Sequence, residues 1–113
     1  MKLPKKLKIA GHQYDIIFPY VYTERYGRIG DHDFAIKQIR IAETECDVPR
    51  KESAILVTFI HEVLHAIDGH TGHNMFMGEE GESRVEALSE GIYQVLVDNG
   101  FLGGKRLDKP KEF

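Results

Sequence analysis

The segment His61-Glu62-Val63-Leu64-His65 contains the residue types that bind a zinc ion and use it in catalysis. Residues four apart lie one turn from each other on the same face of a helix, so His61 and His65 could share a tetrahedral zinc at about 2.0–2.1 Å. Glu62 lies about 100° round that helix, where it misses the metal but can reach a water bound to it. Zinc lowers the pKa of such a water to about 7, and Glu62 can accept its proton as a general base. The pattern therefore predicts hydrolysis at a metal centre.

The apolar residues around the motif favour a metal site over two solvent-exposed histidines. The run at residues 54–60 precedes the motif, and Val63, Leu64, Ala66 and Ile67 lie within and after it. Imidazole nitrogens inside such a helix are costly to bury unless a partner satisfies them. A metal ion would provide that partner.

A catalytic zinc usually takes three protein ligands and one water, so a third ligand is expected. Four side chains that follow the motif are candidates: Glu82, Glu86, His70 and His73. The two glutamates lie four residues apart on one helix face, so whichever does not bind zinc could hold a ligand histidine by its free ring nitrogen. In the metzincin pattern a glycine and a histidine stand where this chain has Asp68 and Thr71. A three-histidine site is therefore the weaker alternative.

The first half of the chain has the pattern of short β-strands. Residues 7–9 and 14–18 flank Ala10-Gly11-His12 and predict a hairpin. Residues 20–26 fit a loop or a short helix, and residues 34–42 predict a second hairpin with Ile39 and Ile41 on one face. The expected fold class is α+β, with a small antiparallel sheet followed by two helices.

The second half of the chain is expected to form those two helices. The motif helix would begin at Glu52 or Ser53 and end at Gly69, and residues 71–80 would form a loop. A final helix at residues 82–99 would be closed by Gly100. Its predicted inner face consists of Val85, Leu88, Ile92, Val95 and Leu96. Residues 101–113 read as a tail, whose Gly103-Gly104 would allow it to turn back and block the cleft.

The length and composition are typical of one globular domain, which would span residues 1–113. The chain is 42% hydrophobic and 29% charged, with a formal net charge of −3. The acidic balance argues against a nucleic-acid partner, and no apolar run has the length of a membrane span. Cys46, as a lone cysteine, cannot form an internal disulfide and is expected to be an idle thiol. A cytoplasmic protein with a peptide or protein substrate is the simplest expectation.

At these residues the chain resembles the gluzincin metallopeptidases, in which a His-Glu-x-x-His helix is followed by a glutamate helix. In length it is similar to the minigluzincins and to the small zinc peptidases of the ImmA/IrrE group found in bacteria, archaea and phages. The segment at residues 82–93, Glu-Ser-Arg-Val-Glu-Ala-Leu-Ser-Glu-Gly-Ile-Tyr, looks like their glutamate helix. The resemblance covers about residues 39–99.

The resemblance implies roles for individual residues. Glu82 would be the third zinc ligand and Glu86 the support of a histidine, with Glu86 as the alternative ligand. The strand at residues 39–42 would border the cleft, and a substrate peptide could add to it as an extra strand. Three residues are candidates for stabilising the transition state: Tyr93, His70 and His73.

The function that follows is zinc-dependent peptide hydrolysis in a shallow cleft, which predicts either a narrow substrate range or a self-blocked state. The alternative is a non-catalytic regulatory or binding module, phage-related in origin, which keeps zinc for stability. A three-histidine ribonuclease is a further alternative, but phosphate binding requires basic side chains that this acidic chain does not concentrate.

Overall fold

The computed structural model describes residues 3–23 and 26–102 and confirms the α+β architecture. Within these described ranges, six strands precede two helices. In order, the elements are β1 (Lys6–Ile9), β2 (His12–Ile17), β3 (Gly30–Asp33), β4 (Gln38–Ile41), β5 (Thr44–Glu45), β6 (Val48–Pro49), α1 (Glu52–Thr71) and α2 (Gly78–Asp98).

The main sheet is mixed, so the prediction of an antiparallel sheet was wrong in this respect. Its strand order is β1-β2-β4-β3, and β4 pairs parallel with β2 and antiparallel with β3. The chain between β2 and β3 crosses to the far edge of the sheet, and the β3–β4 hairpin then places its second strand against β2. Strands β5 and β6 form a separate two-stranded sheet.

The first hairpin forms as predicted, because its turn suits the twist of the two strands. Ala10 and Gly11 both have positive φ, at 52° and 83°, as in the turns that close two-residue hairpin loops. The second hairpin is displaced from its predicted position, since its first strand is β3 and residues 34–37 form the turn. The predicted alternation in β4 is confirmed, with Ile39 and Ile41 fully buried.

Helix α1 lies against one face of the sheet and completes the core. The core consists of Ile9, Tyr14, Ile16, Ile39, Ile41, Ile55 and Ala66. The helix begins at Glu52, as predicted, but ends at Thr71 rather than at Gly69. Gly72 provides the left-handed residue that terminates it, with φ of 78°.

Helix α2 packs against α1 and begins a turn earlier than predicted, at Gly78. Its buried positions are Gly81, Val85 and Ser89, spaced four residues apart. Two of the residues predicted for its inner face, Leu88 and Val95, are instead about half exposed. The face that packs on α1 therefore consists of smaller residues than those predicted.

The C-terminal end of α2 is closed at Gly100, as predicted. The amides of Gly100 and Phe101 donate to the carbonyls of Val97 and Leu96, a Schellman arrangement. Except for its first two residues, the predicted tail lies outside the described residues. Residues 20–23 and 26 form no helix, and neither helix in the described ranges is long and apolar enough to cross a membrane.

Candidate metal centre and cleft

Three of the predicted ligands meet where α1 and α2 face each other. His61 Nε2 lies 3.3 Å from one carboxylate oxygen of Glu82, and His65 Nε2 lies 2.9 Å from the other. The potential ligand atoms of these three residues all lie within 4.8 Å of one another. This spacing allows one ion to contact all three side chains. The separation of four residues in α1 and the packing of α2 produce this arrangement.

Glu86, four residues after Glu82, contacts the opposite side of the His61 ring. Its carboxylate Oε1 lies 2.9 Å from Nδ1 of His61. An Nδ1–H that donates to Glu86 leaves the lone pair of Nε2 directed at Glu82. The two glutamates therefore lie on different sides of His61: Glu82 faces the Nε2 atoms of both histidines, and Glu86 faces Nδ1 of His61.

A cation between the imidazoles and Glu82 would make these contacts favourable. If Nδ1–H of His61 donates to Glu86, the lone pair on Nε2 of a neutral His61 faces a carboxylate oxygen of Glu82. This contact is repulsive. Either a proton on Nε2 or a metal ion in the middle removes the repulsion. Two imidazole nitrogens and a carboxylate oxygen are the ligands that zinc takes in catalytic sites. The donor set therefore fits zinc.

Glu62 is buried beside this group and is only 8% exposed. The pKa of its carboxyl is raised to about 8, mainly by burial and also by the negative charges of Asp31, Glu82 and Glu86, while the charge of Arg28 opposes the increase. A divalent cation held by the neighbouring histidines would favour the ionised form. Glu62 is thus an acidic group that is sheltered from bulk water and faces the same cleft as the histidines.

Strand β3, not β4, borders this site. Strand β4 is paired on both sides, so the predicted role of residues 39–42 as a cleft edge is wrong. Gly30 brings β3 close to α1: a Cβ there would lie 2.6 Å from Thr58 Cγ2 and 3.4 Å from Glu62 Oε2. The missing side chain allows the edge strand to pass directly over the acid.

The site opens into a cleft of about 1020 Å³ between β3, α1 and the start of α2. The connection between the helices is fixed by Asp68, whose carboxylate accepts the amides of Met75 and Phe76 at 2.9 and 3.0 Å. These two hydrogen bonds, with that of Met75 the larger cause, hold the pKa of Asp68 below its usual range although burial opposes them. They fix the direction in which α2 starts and hence where Glu82 lies.

His32 is a cleft residue that the sequence analysis missed. It lies in β3 two residues after Gly30, so it shares the strand face directed at α1, and it lines the cleft. The hydroxyl of the buried Tyr14 lies 2.9 Å from its Nε2 and 2.8 Å from Nε2 of His70. Burial lowers the pKa of His32, and the neighbouring charges of His65 and His70 lower it further. A polar strand facing the motif helix was the signal that could have revealed this residue.

None of the three predicted transition-state stabilisers is among the described residues that line the cleft. His70 is held by Tyr14 and stacks on the His12 ring at 4.4 Å between centroids. His73 is exposed, and Tyr93 is half-buried on α2. Neither loop histidine belongs to the described metal-binding group, which contains His61, His65 and Glu82. Cys46 is an exposed free thiol and lies outside that group as well.

A hydrogen-bonded ion pair joins β3 to β4 beside the cleft. The guanidinium of Arg40 binds both carboxylate oxygens of Asp31, and the hydroxyl of Tyr22 donates to the same carboxylate at 2.8 Å. Burial alone would raise the pKa of Asp31, but these donors hold it below its usual range. The pair ties β3 to β4 and keeps the edge strand in register.

Comparisons with known protein families, with curated proteins and with solved structures found no match to this chain. Any function assigned to it therefore depends on the geometry of the group formed by His61, His65 and Glu82. The cleft around that group and the buried acid beside it are the other observations to be explained.

Proposed function

We propose that the chain is a zinc-dependent peptidase of the gluzincin type. His61, His65 and Glu82 would hold the metal, and Glu62 would act as the general base. The observation that carries the proposal is the convergence of both histidine Nε2 atoms on one carboxylate of the second helix, with a buried acid in the same cleft.

The charge balance supports a divalent cation at this position. Two carboxylates, those of Glu82 and Glu86, face the two imidazoles, and the buried carboxyl of Glu62 lies in the same cleft. A bound zinc would offset this excess of negative charge, polarise a carbonyl and lower the pKa of a coordinated water. Glu86 would hold His61 in the tautomer that presents Nε2 to the metal, a type of support that usually strengthens binding.

Glu62 would accept the proton of the attacking water and later return it to the leaving amine. Its burial suits this task, because the carboxylate is partly desolvated and therefore a stronger base than one in bulk water. The exposed sides of Glu82 and Glu86, at 59% and 57%, leave the site open to solvent and to a substrate. A hydrolytic water could enter from that side.

The edge of β3 is the natural position for a substrate peptide. In the described chain β3 pairs only with β4, so its other edge can accept backbone hydrogen bonds from an extended chain. His32 would face the scissile carbonyl from this strand. The Tyr14 hydroxyl has one proton, so it donates to Nε2 of one of its two histidines and accepts from Nε2 of the other, which gives neutral His32 and His70 opposite tautomers.

Glu62→Gln tests the proposed function most economically. The amide cannot accept the proton of water, so this variant should keep its zinc and its melting temperature but lose at least about 100-fold in the rate of casein cleavage. Glu90→Gln, the same change at an exposed position of α2, should cleave as the wild type does. Metal content and cleavage are measured on the same three preparations, with and without a chelator.

Two results would count against a peptidase. Cleavage that survives in Glu62→Gln would remove the general base from the mechanism. A wild-type protein that binds one zinc and cleaves no unfolded protein would favour the non-catalytic, zinc-stabilised module instead.

A further inference from the structure

Arg28 places a positive charge in the wall of the cleft, beside the start of β3. Its Nε is completely buried and makes no hydrogen bond within the described part of the chain. A buried donor without a partner costs free energy, because it has lost its water without gaining an acceptor. The residue itself lines the cleft, so a ligand there could contact those of its other guanidinium N–H groups that face the opening.

The neighbouring acids Asp31 and Glu62 form no hydrogen bond with this guanidinium. Asp31 is taken by Arg40 and Tyr22, which bind its two carboxylate oxygens. Arg28 acts on Asp31 and Glu62 only through space, and its charge lowers the pKa of each carboxyl. Arg40 thus has a carboxylate partner, whereas no carboxylate of the described residues forms a hydrogen bond with Arg28.

We propose that Arg28 is a specificity-determining residue that binds a carboxylate of the substrate, either the C-terminal carboxylate of a peptide or an Asp or Glu side chain. The planar guanidinium presents paired N–H donors that match the two oxygens of a carboxylate. Its position next to Glu62 and the β3 edge places that carboxylate close to the scissile bond. This inference rests on the proposed function only in taking a peptide as the ligand.

Binding of three short probes to the zinc-loaded protein tests the proposal by calorimetry. The first is acetyl-trialanine with a free C-terminus, the second is its C-terminal amide, and the third is the amide with its last alanine replaced by glutamate. At least one carboxylate probe should bind about tenfold more tightly than the neutral amide. The free-terminus and glutamate probes distinguish the two sources of the carboxylate.

Arg28→Gln should abolish this preference and leave the affinity for the neutral amide unchanged. Arg84→Gln is the matched control, because Arg84 lies on the exposed side of α2 and is paired with Glu80. Arg28→Lys keeps the charge without the paired donors and should retain only part of the preference. Equal melting temperatures of the variants would exclude a folding defect as the cause.

Equal affinities for all three probes, or no measurable binding of any, would overturn the proposal. A preference for the carboxylate probes that persists in Arg28→Gln would also overturn it. If that remaining preference disappears when the zinc is chelated, the carboxylate binds the metal instead. The casein assay tests the peptidase proposal independently of these binding measurements. An Arg28-dependent preference without cleavage would leave a carboxylate-binding site in a protein that is not a peptidase.

Discussion

Gly30→Ala should disturb the contact between β3 and α1. The new methyl carbon would lie 2.6 Å from Thr58 Cγ2, well inside van der Waals contact. Thr58 cannot simply rotate away, because its hydroxyl donates to the Ala54 carbonyl at 3.0 Å and accepts from Arg50. The backbone of Gly30 is outside the left-handed region, so the cost comes from the contact alone. Overpacking of this kind typically costs about 1–3 kcal/mol.

Urea unfolding of the chelated protein measures this cost without a contribution from metal binding. Thr58→Ser removes the methyl group that clashes but keeps the hydroxyl, and by itself should cost about 1 kcal/mol for the lost methyl. In the double variant the two changes should compensate, so that its loss is at least about 1 kcal/mol smaller than the sum of the single losses. Strictly additive losses would refute the close approach of β3 to α1.

Two further predictions concern the second helix. Glu86→Ala removes the partner of His61 Nδ1 and should weaken zinc binding by about 10–100-fold, measured by competition with a chelating dye, and an unchanged affinity would deny Glu86 this role. Gly81→Ala would place a Cβ 2.2 Å from the Phe76 carbonyl carbon and should lower the melting temperature. In the control Gly91→Ala the new Cβ contacts no atom within 4 Å, so a gain in helix propensity of about 1 kcal/mol should raise the melting temperature. A Gly81→Ala protein at least as stable as Gly91→Ala would contradict the close packing at the start of α2.

The helices and the first hairpin could be predicted because their signals are local. The apolar run before the motif indicated a buried helix, and α1 does bury residues 55–58. The turn at Ala10-Gly11 placed β1 and β2, since few sequences tolerate two successive residues of positive φ. The spacing of Glu82 and Glu86 likewise predicted that they share one helix face. In the structure α2 packs on α1 so that this face lies against the histidines.

The edge strand could not be predicted because it has no apolar pattern. Strand β3 reads Gly-Asp-His-Asp, and all four residues are half-buried rather than alternating. Its identity as a strand depends on pairing with β4 and on a glycine that fits against Thr58, both of which are long-range contacts. Because β3 was not predicted, His32 was not recognised as a cleft residue. The interior strand β4 was predicted to border the cleft in place of β3.

The start of α2 was placed too late because its glycines resemble a loop. Gly81 lies inside the helix, where it allows the close approach of Phe76. Its inner face was also predicted from large apolar residues, but the buried positions are Gly81, Val85 and Ser89. Local hydrophobicity identified the helix, whereas its packing against α1 determined which side of it is buried.

The central claim is that one zinc ion joins the two helices through His61, His65 and Glu82. A crystal structure of the zinc-loaded protein, with diffraction data collected on both sides of the zinc absorption edge, tests it most directly. We predict a single anomalous peak within bonding distance of these three side chains, about 2.0–2.2 Å, with a fourth position open toward Glu62. A peak at another position, or a zinc held without Glu82, would contradict the account.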